Sequence, residues 1–311
     1  MSDDRAAPAV TGPDQALSFS VAAGLVRGRV VQLGPALDRI LAAHADTPPV
    51  VAGLVAETAL VAAALASLLK YDGVFTLQAQ GDGPVRLVVA DLTSAGTLRA
   101  MARFDRERLA AASAPASPAA LLGAGHLAFT VDQGPGTDRY QGIVALEGDS
   151  LASAAEGYFR QSEQLDTRVR LAVAPAAGGG WFGRAALIQR LPAGSGQAPI
   201  LLAEEAEETW RRAEILFGSL TEAELADPAL SPERLLHRLY HGEDLRLTPA
   251  RPLEAGCRCS LERVAAALTS LPDADLPGLA DAEGRIEVTC EFCGTRHVLS
   301  LSDLAPRPQT A

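Results

Sequence analysis

The chain has 311 residues, 48% of them hydrophobic and 21% charged, a composition typical of a globular protein with a substantial core. The net charge of -11 argues against nucleic acid or an anionic membrane as partner, because phosphate binding needs a basic surface. The N-terminus, from Met1 to Pro8, has acidic residues and prolines but no apolar stretch, so we expect no secretory signal and a cytoplasmic, reducing location.

Apolar runs separated by glycine-rich turns predict antiparallel hairpins in the first 200 residues. The runs cover residues 17–33, 74–104, 127–131, 140–146, 168–174 and 181–191, with turns that include Gly134 to Gly136 and Gly178 to Gly180. Apolar periodicity predicts helices at about 35–44, 49–70 and 149–161. Hairpins interrupted by helices predict an α+β domain over residues 1–200, with a largely antiparallel sheet and packed helices.

One helical stretch, residues 50–69, is apolar and long enough to span a bilayer. Glu57 and Thr58 lie in its middle, seven of its twenty residues are alanine, and no basic flank or aromatic belt frames it. We therefore predict a buried core helix and no membrane partner.

Residues 201–251, named the linker segment below, have a different character. Residues 200–218 predict a helix with an acidic first half and Arg211 and Arg212 near its end, an order that suits the helix dipole. Ser231 and Pro232 begin a second helix, which ends at Gly242. The segment is too small for a core of its own, so we expect a helical linker that packs on a neighbouring domain.

The four cysteines all lie in the last part of the chain, residues 252–311. Cys257 and Cys259 form one close pair, Cys290 and Cys293 the other, and 30 residues separate the pairs. This spacing is that of a four-thiolate zinc site and also of two disulfides. Gly294 suits the left-handed end of a metal-binding turn, and in a regular strand the first two cysteines would point the same way.

The remaining histidines and glycines give weaker indications of function. Four thiolates already fill a tetrahedral site, so we interpret His297 as a bystander. His126, His237 and His241 have no partnered nucleophile nearby in sequence and are interpreted as structural or surface residues, with no catalytic residue in the chain. The glycines at 24, 28 and 178–180 form no phosphate-binding motif.

Two end states of the cysteines differ in their energetics. A bound zinc ion would tie residues 257 and 293 together and contribute an apparent ~10–16 kcal/mol to folding. If the thiols were oxidised within each pair, the disulfides would close only very short loops, and loop-closure stabilisation falls with loop length. The module would then unfold, and the linker segment would lose a supporting surface. Spacing alone nevertheless favours a permanent structural zinc ribbon.

Two further alternatives are a nucleic-acid-binding zinc module and a thiol–disulfide oxidoreductase. Residues 257–311 contain five arginines, no lysine and eight acidic residues, which is the wrong balance for phosphate. No thioredoxin-like context surrounds the Cys290–Cys293 pair, and Gly294 fits a metal-binding turn better.

Eight short motifs lie along nearly the whole chain. They are Cys257-x-Cys259-Ser260-x-Glu-Arg263, Cys290-Glu-Phe-Cys293-Gly294, Leu69-Lys-Tyr-Asp-Gly73, Gln80-Gly-Asp-Gly-Pro84, Tyr140-Gln-Gly142, Tyr158-Phe-Arg-Gln-Ser-Glu-Gln-Leu165, Trp210-Arg-Arg212 and Arg238-Leu-Tyr-His241. Together these motifs resemble those of the 33-kDa redox-regulated heat-shock chaperone family. Two departures from the family pattern, Asp166 and the pair Arg296–His297, involve none of the cysteines.

The resemblance implies a holdase chaperone that is not an enzyme and uses no ATP. In the reduced, inactive form one zinc ion would be held by Cys257, Cys259, Cys290 and Cys293. Peroxide with heat, or hypochlorite, would oxidise them to the disulfides Cys257–Cys259 and Cys290–Cys293, with zinc release. Unfolding of the switch domain (252–311) and the linker segment would then expose apolar surface for unfolding client proteins, and the active form would be a homodimer.

Overall fold

The structure, a computed structural model, describes residues 13–111, 117–134, 136–176, 179–192, 203–272 and 274–304. These residues form two compact units, divided between Ala255 and Gly256. The N-terminal segment up to Pro8, Pro135 and Gly178 in the predicted turns, and the predicted helix start at residues 200–202 lie outside the described residues.

The first unit contains strands and helices in an irregular alternation. Its elements are β1 (Gln15–Val21), β2 (Val26–Leu33), α1 (Pro35–Ala42), α2 (Pro49–Ala66), β3 (Val74–Gly81), β4 (Val85–Thr93), β5 (Thr97–Phe104), α3 (Arg106–Ala111), α4 (Pro118–Leu122), β6 (Gly125–Asp132), β7 (Tyr140–Ala145), α5 (Leu151–Tyr158), β8 (Thr167–Pro175), β9 (Trp181–Arg190), α6 (Ala203–Gly218), α7 (Glu222–Ala226), α8 (Pro232–Tyr240), β10 (Arg246–Leu247), β11 (Arg251–Pro252) and β12 (Glu254–Ala255). A single π-helical turn, Phe159–Glu163, extends α5.

The strands form two sheets in the described part of this unit. The first sheet has the order β10-β1-β2-β9-β8, with β11 also paired to β1, and the second has the order β12-β5-β4-β3-β6-β7. Every pairing is antiparallel except that of β12 with β5. The predicted α+β class and the predicted hairpins β3–β4, β6–β7 and β8–β9 are confirmed, but the strands divide between two sheets.

Helix α2 lies between the two sheets and contacts strands of both. It is apolar and long enough to cross a membrane, yet most of it is buried inside the fold. Fourteen of its 18 residues are buried, and its many alanines allow both sheets to approach closely. A helix that is apolar all round needs partners on all sides, and here the two sheets supply them.

Strand β9 shows that the first sheet is covered on both faces. Successive side chains of a strand point to opposite faces, and every side chain from Phe182 to Gln189 is buried. Leu187 belongs to the apolar cluster around α2, whereas Ile188 belongs to a second cluster on the outer face.

Helices α6, α7 and α8 of the linker segment cover that outer face. Helix α8 buries Leu235, Leu239 and Tyr240, and helix α6 buries Trp210 and Phe217, in the same cluster as the outward-facing residues of β1, β2 and β9. The linker segment therefore packs on the first sheet, in agreement with the expected packing on a neighbouring domain. The reason is that the apolar stripes of its helices match the outward-facing alternate residues of the sheet.

A buried arginine adds polar contacts between this sheet and the linker segment. Arg184 of β9 is 0% exposed and donates hydrogen bonds to the backbone oxygens of Glu224 (3.0 Å) and Leu230 (2.7 Å) and to Gln32 Oε1 (2.6 Å). Burial lowers its pKa to about 10. Since a buried charge is costly unless it is hydrogen-bonded, the position of the backbone at residues 224–230 is closely coupled to the sheet.

Glu57, the one charged residue of α2, is half-buried beside the N-terminus of α5. Its Oε1 accepts a hydrogen bond from the Leu151 backbone N–H at 3.2 Å. Burial raises the pKa of this carboxyl group to about 7, against the weaker opposing effect of the Leu151 hydrogen bond. The folded state thus binds a proton at Glu57 more tightly than the unfolded state does. The contribution of this protonated carboxyl group to stability is lost as pH rises through 7.

We therefore expect Glu57→Gln to flatten the pH dependence of stability. Between pH 5.5 and pH 8, the free energy of unfolding of the unmodified protein should fall by about 2 kcal/mol more than that of the variant. Urea denaturation of the reduced protein at both pH values measures this difference. Glu222→Gln, at an exposed position on the same cleft, controls for the loss of one negative charge. Parallel pH profiles for the protein and Glu57→Gln would contradict the expectation.

Candidate metal centre

The second unit consists of short elements around a small core. Its elements are α9 (Leu261–Leu268), β13 (Arg285–Thr289), β14 (Arg296–Ser300) and α10 (Leu301–Leu304), with a 3-10 turn at Leu276–Leu279. Its described core consists of the buried side chains Leu268, Leu276, Ile286, Leu299 and Leu304. So few buried side chains provide little hydrophobic stabilisation, and small modules of this kind depend on additional cross-links.

Cys257 and Cys259 lie in an irregular segment just before α9. Ser260 caps the helix, its Oγ accepting a hydrogen bond from the Arg263 backbone N–H at 3.2 Å. The regular strand that we considered for the Cys257–Cys259 pair is thus absent from residues 256–260. An N-cap residue next to the second cysteine requires the chain to turn into a helix, which explains the difference.

Cys290 and Cys293 lie in the turn that joins β13 to β14. The Cys290 N–H donates to the Thr295 oxygen at 2.9 Å, and the Gly294 N–H donates to the Cys290 oxygen at 2.8 Å. Gly294 has a φ of 69°, which confirms the predicted left-handed conformation. Side chains with a Cβ seldom adopt this conformation, so glycine suits the position.

The four sulfurs converge although the pairs are far apart in sequence. Cys257 Sγ lies 3.7 Å from Cys290 Sγ, and Cys259 Sγ lies 3.4 Å from Cys293 Sγ. All four Sγ atoms lie within 4.8 Å of one another, and all four side chains are half-buried free thiols. Zinc–sulfur bonds of about 2.3 Å place neighbouring sulfurs of a tetrahedron about 3.8 Å apart. The cluster therefore has the size and donor type that a four-thiolate metal site requires.

The environment of these thiols differs from one sulfur to the next. Burial raises the pKa of Cys259 and Cys290. Burial also acts to raise the pKa of Cys293, but hydrogen bonds to its thiolate from the Thr295 hydroxyl and backbone, and from neighbouring thiols, lower it to about 6. A bound divalent cation would favour the thiolate form of all four.

Thr295 was not among the residues that we singled out from the sequence. Its Oγ1 lies 3.2 Å from Cys293 Sγ. A threonine two residues after a cysteine is too common to be read as a functional signal, and only the folded turn brings the two side chains together.

The histidines lie outside the sulfur cluster. His297 is in β14, where it pairs with Val288 of β13. His126 is a half-buried residue of β6, and His237 and His241 are exposed on α8, with ring centroids 5.4 Å apart.

Comparisons with known proteins identify a family for the chain. Residues 14–300 match the model of the family described as Hsp33 protein. The "33 kDa chaperonin" of Caulobacter vibrioides is 43% identical over 274 residues, which is 86% of this chain and 88% of that protein. The "33 kDa chaperonin" of Ectopseudomonas mendocina is 40% identical over 281 residues, with 90% of each chain covered.

A solved structure has the same fold. The crystal structure of the 33 kDa chaperonin from Thermotoga maritima matches with a TM-score of 0.77 and 22% identity, covering 94% of this chain and 97% of that one. The family match spans nearly all of the chain, and the two relatives are 43% and 40% identical to it. We therefore conclude that the chain belongs to the Hsp33 chaperone family.

Proposed function

We propose that this protein is a redox-regulated, ATP-independent holdase, inactive when reduced and active when its four cysteines are oxidised. The observation that supports the proposal most directly is the convergence of four free thiols within 4.8 Å in a unit with a very small core. Membership of a chaperone family supports client proteins as the partners.

In the reduced state, we propose that Cys257, Cys259, Cys290 and Cys293 hold one zinc ion. The sulfur spacing and the donor set fit such an ion, as described above. When bound, zinc would supply a cross-link between the segment before α9 and the β13–β14 turn. Residues 252–311 would act as the switch domain and residues 201–251 as the linker.

Oxidation would remove the donors of this cross-link. Each pair of thiolates would give two electrons to one hydrogen peroxide molecule, which would take up two protons from solvent, so that one disulfide and two water molecules form. The resemblance assigns the disulfides as Cys257–Cys259 and Cys290–Cys293, which close very short loops. Such disulfides constrain the unfolded chain far less than a tie across 30 residues, so the small core would no longer remain folded.

The linker segment offers a physical route from this change to client binding. Its helices bury Trp210, Phe217 and Leu239 against the first sheet. Release of these helices would expose apolar residues on both the helices and the outer face of the sheet. An exposed apolar area of this kind is a binding surface for unfolded chains and also for a second copy of the protein, in line with the expected homodimer.

The ligand assignment predicts how single substitutions change metal content. Reduced protein should contain one zinc ion per chain, and replacing Cys290 or Cys293 with serine should lower zinc affinity strongly because a thiolate donor is lost. Metal analysis after dialysis against a weak chelator measures this. His297→Ala serves as the matched control, since His297 lies outside the sulfur cluster, and should keep its zinc. Full zinc retention in the serine variants would contradict the four-thiolate site.

Oxidation should couple disulfide formation to chaperone activity. After peroxide treatment at elevated temperature, peptide mapping should find the disulfides Cys257–Cys259 and Cys290–Cys293, together with zinc release. The oxidised protein should suppress aggregation of a heat-unfolding client, and the reduced protein should not. Equal suppression in both states would favour a static zinc ribbon. Repeated turnover of a disulfide substrate would favour an oxidoreductase.

Weakening the contact between linker and sheet should activate the protein without oxidation. Phe217 is 2% exposed, and Phe217→Ala removes a large part of its buried area, at a cost of about 3–5 kcal/mol. We expect partial suppression of client aggregation by the reduced variant, with zinc still bound. Ile215→Ala, two residues away on the same helix but 63% exposed, is the control and should remain inactive when reduced. Equal behaviour of the two variants would show that undocking of the linker is not the activating step.

A further inference from the structure

A cavity of about 400 Å³ lies in the first unit, and none of the four cysteines lines it. Its volume lies within the range of about 300–1,000 Å³ that is common for small-molecule sites. The chain has only 14 aromatic residues, from eight phenylalanines, four tyrosines and two tryptophans. Six of them line this one cavity: Tyr71, Phe75, Phe129, Tyr140, Tyr158 and Phe159. Because aromatic residues are scarce in this chain, their concentration around one cavity indicates a binding site.

Three of the sequence motifs that did not contribute to the switch meet at this cavity, namely those at residues 69–73, 140–142 and 158–165. Packing explains the glycine of the second motif, Gly142. A Cβ at this position would lie 2.4 Å from ring atoms of Tyr158 and would collide with them. The third motif contains the π-helical turn Phe159–Glu163, a local irregularity that is frequent at functional sites.

The carboxylate at the cavity is already hydrogen-bonded within the protein. Tyr158 donates its hydroxyl proton to Glu163 Oε1 at 2.7 Å, and the Tyr140 hydroxyl donates to the same oxygen. The two hydroxyl groups also lie next to each other. Glu163 therefore serves to orient the two tyrosine rings. It keeps its negative charge, but two positive charges at the cavity exceed that one.

That positive charge comes from Lys70 and Arg27, which also line the cavity. Arg27 directs its Nε at the Gln189 side chain, 3.0 Å away. Lys70 is exposed, and within the described parts of the chain it has neither an ion-pair partner nor a hydrogen-bond partner.

Lys70 is also the single lysine of the sequence, beside 26 arginines. All the remaining positively charged side chains, apart from histidine, are arginines. The single lysine therefore indicates a position for which the planar guanidinium group is unsuitable. A compact ammonium group on a flexible stem can reach a single anionic group at the edge of an aromatic pocket.

We propose that this cavity binds an apolar carboxylic acid, with its hydrocarbon body among the six aromatic rings and its carboxylate on the Lys70 ammonium group. The ligand would bind the first unit, so the site is independent of the cysteine chemistry and of the proposed holdase activity. Binding would stabilise the folded first unit in proportion to the free ligand concentration.

Decanoate is a suitable probe, compared with decanol and decylammonium, which have the same hydrocarbon length and different head groups. Calorimetric titration of the full-length, reduced, zinc-loaded protein should give one decanoate per chain. We expect decanoate to bind at least about tenfold more tightly than either analogue, because only the carboxylate can pair with Lys70. No binding, or equal affinity for all three compounds, would overturn the proposal.

Lys70→Met provides the matched variant, since it removes the charge and keeps most of the apolar stem. It should weaken decanoate binding about tenfold and leave decanol binding unchanged. Arg86→Met, which removes an exposed cation of β4 that does not line the cavity, should change neither. An unchanged decanoate affinity in Lys70→Met would overturn the proposed carboxylate contact. Preferential binding of an apolar peptide with a blocked C-terminus would identify a polypeptide side chain as the occupant and would also overturn it.

Discussion

The first sheet has two apolar faces, and most of the architecture follows from covering both. Its inner face packs on α2, which is itself apolar all round and needs the second sheet on its far side. Its outer face would expose a continuous apolar surface without the linker helices. The linker segment is therefore both a structural layer of the first unit and the layer whose removal would change what the protein can bind. The proposed holdase function would require such a surface to be apolar and yet covered in the reduced protein.

Much of the fold is readable from local signals, because hairpins are marked by alternating apolar residues and glycine-rich turns. The hairpin β3–β4 and the helix α8 are examples, the latter marked by Ser231 at its N-cap and Pro232 in its first turn. The division of the strands between two sheets is not local. It depends on long-range pairings, such as that of β2 with β9, which no turn signal reports.

At the cysteine site, the clustering of the four thiols could be predicted because two close pairs are conspicuous in a chain with only four cysteines. The surroundings could not be predicted. The path of the backbone at Cys257 depends on the helix that Ser260 caps, and the hydroxyl of Thr295 reaches Cys293 only in the folded turn. The aromatic cavity was missed for the same reason, since its lining comes from three motifs far apart in sequence.

The buried arginine of β9 has a consequence for how the linker segment can vary among proteins with this fold. Arg184 holds the linker through the main-chain oxygens of Glu224 and Leu230, and every residue type supplies such an oxygen. Side chains at these two positions can therefore change without loss of the contact. An insertion or deletion between them would displace the oxygens and leave the buried cation with only its hydrogen bond to Gln32. The structure thus constrains the length of this part of the linker more tightly than its composition.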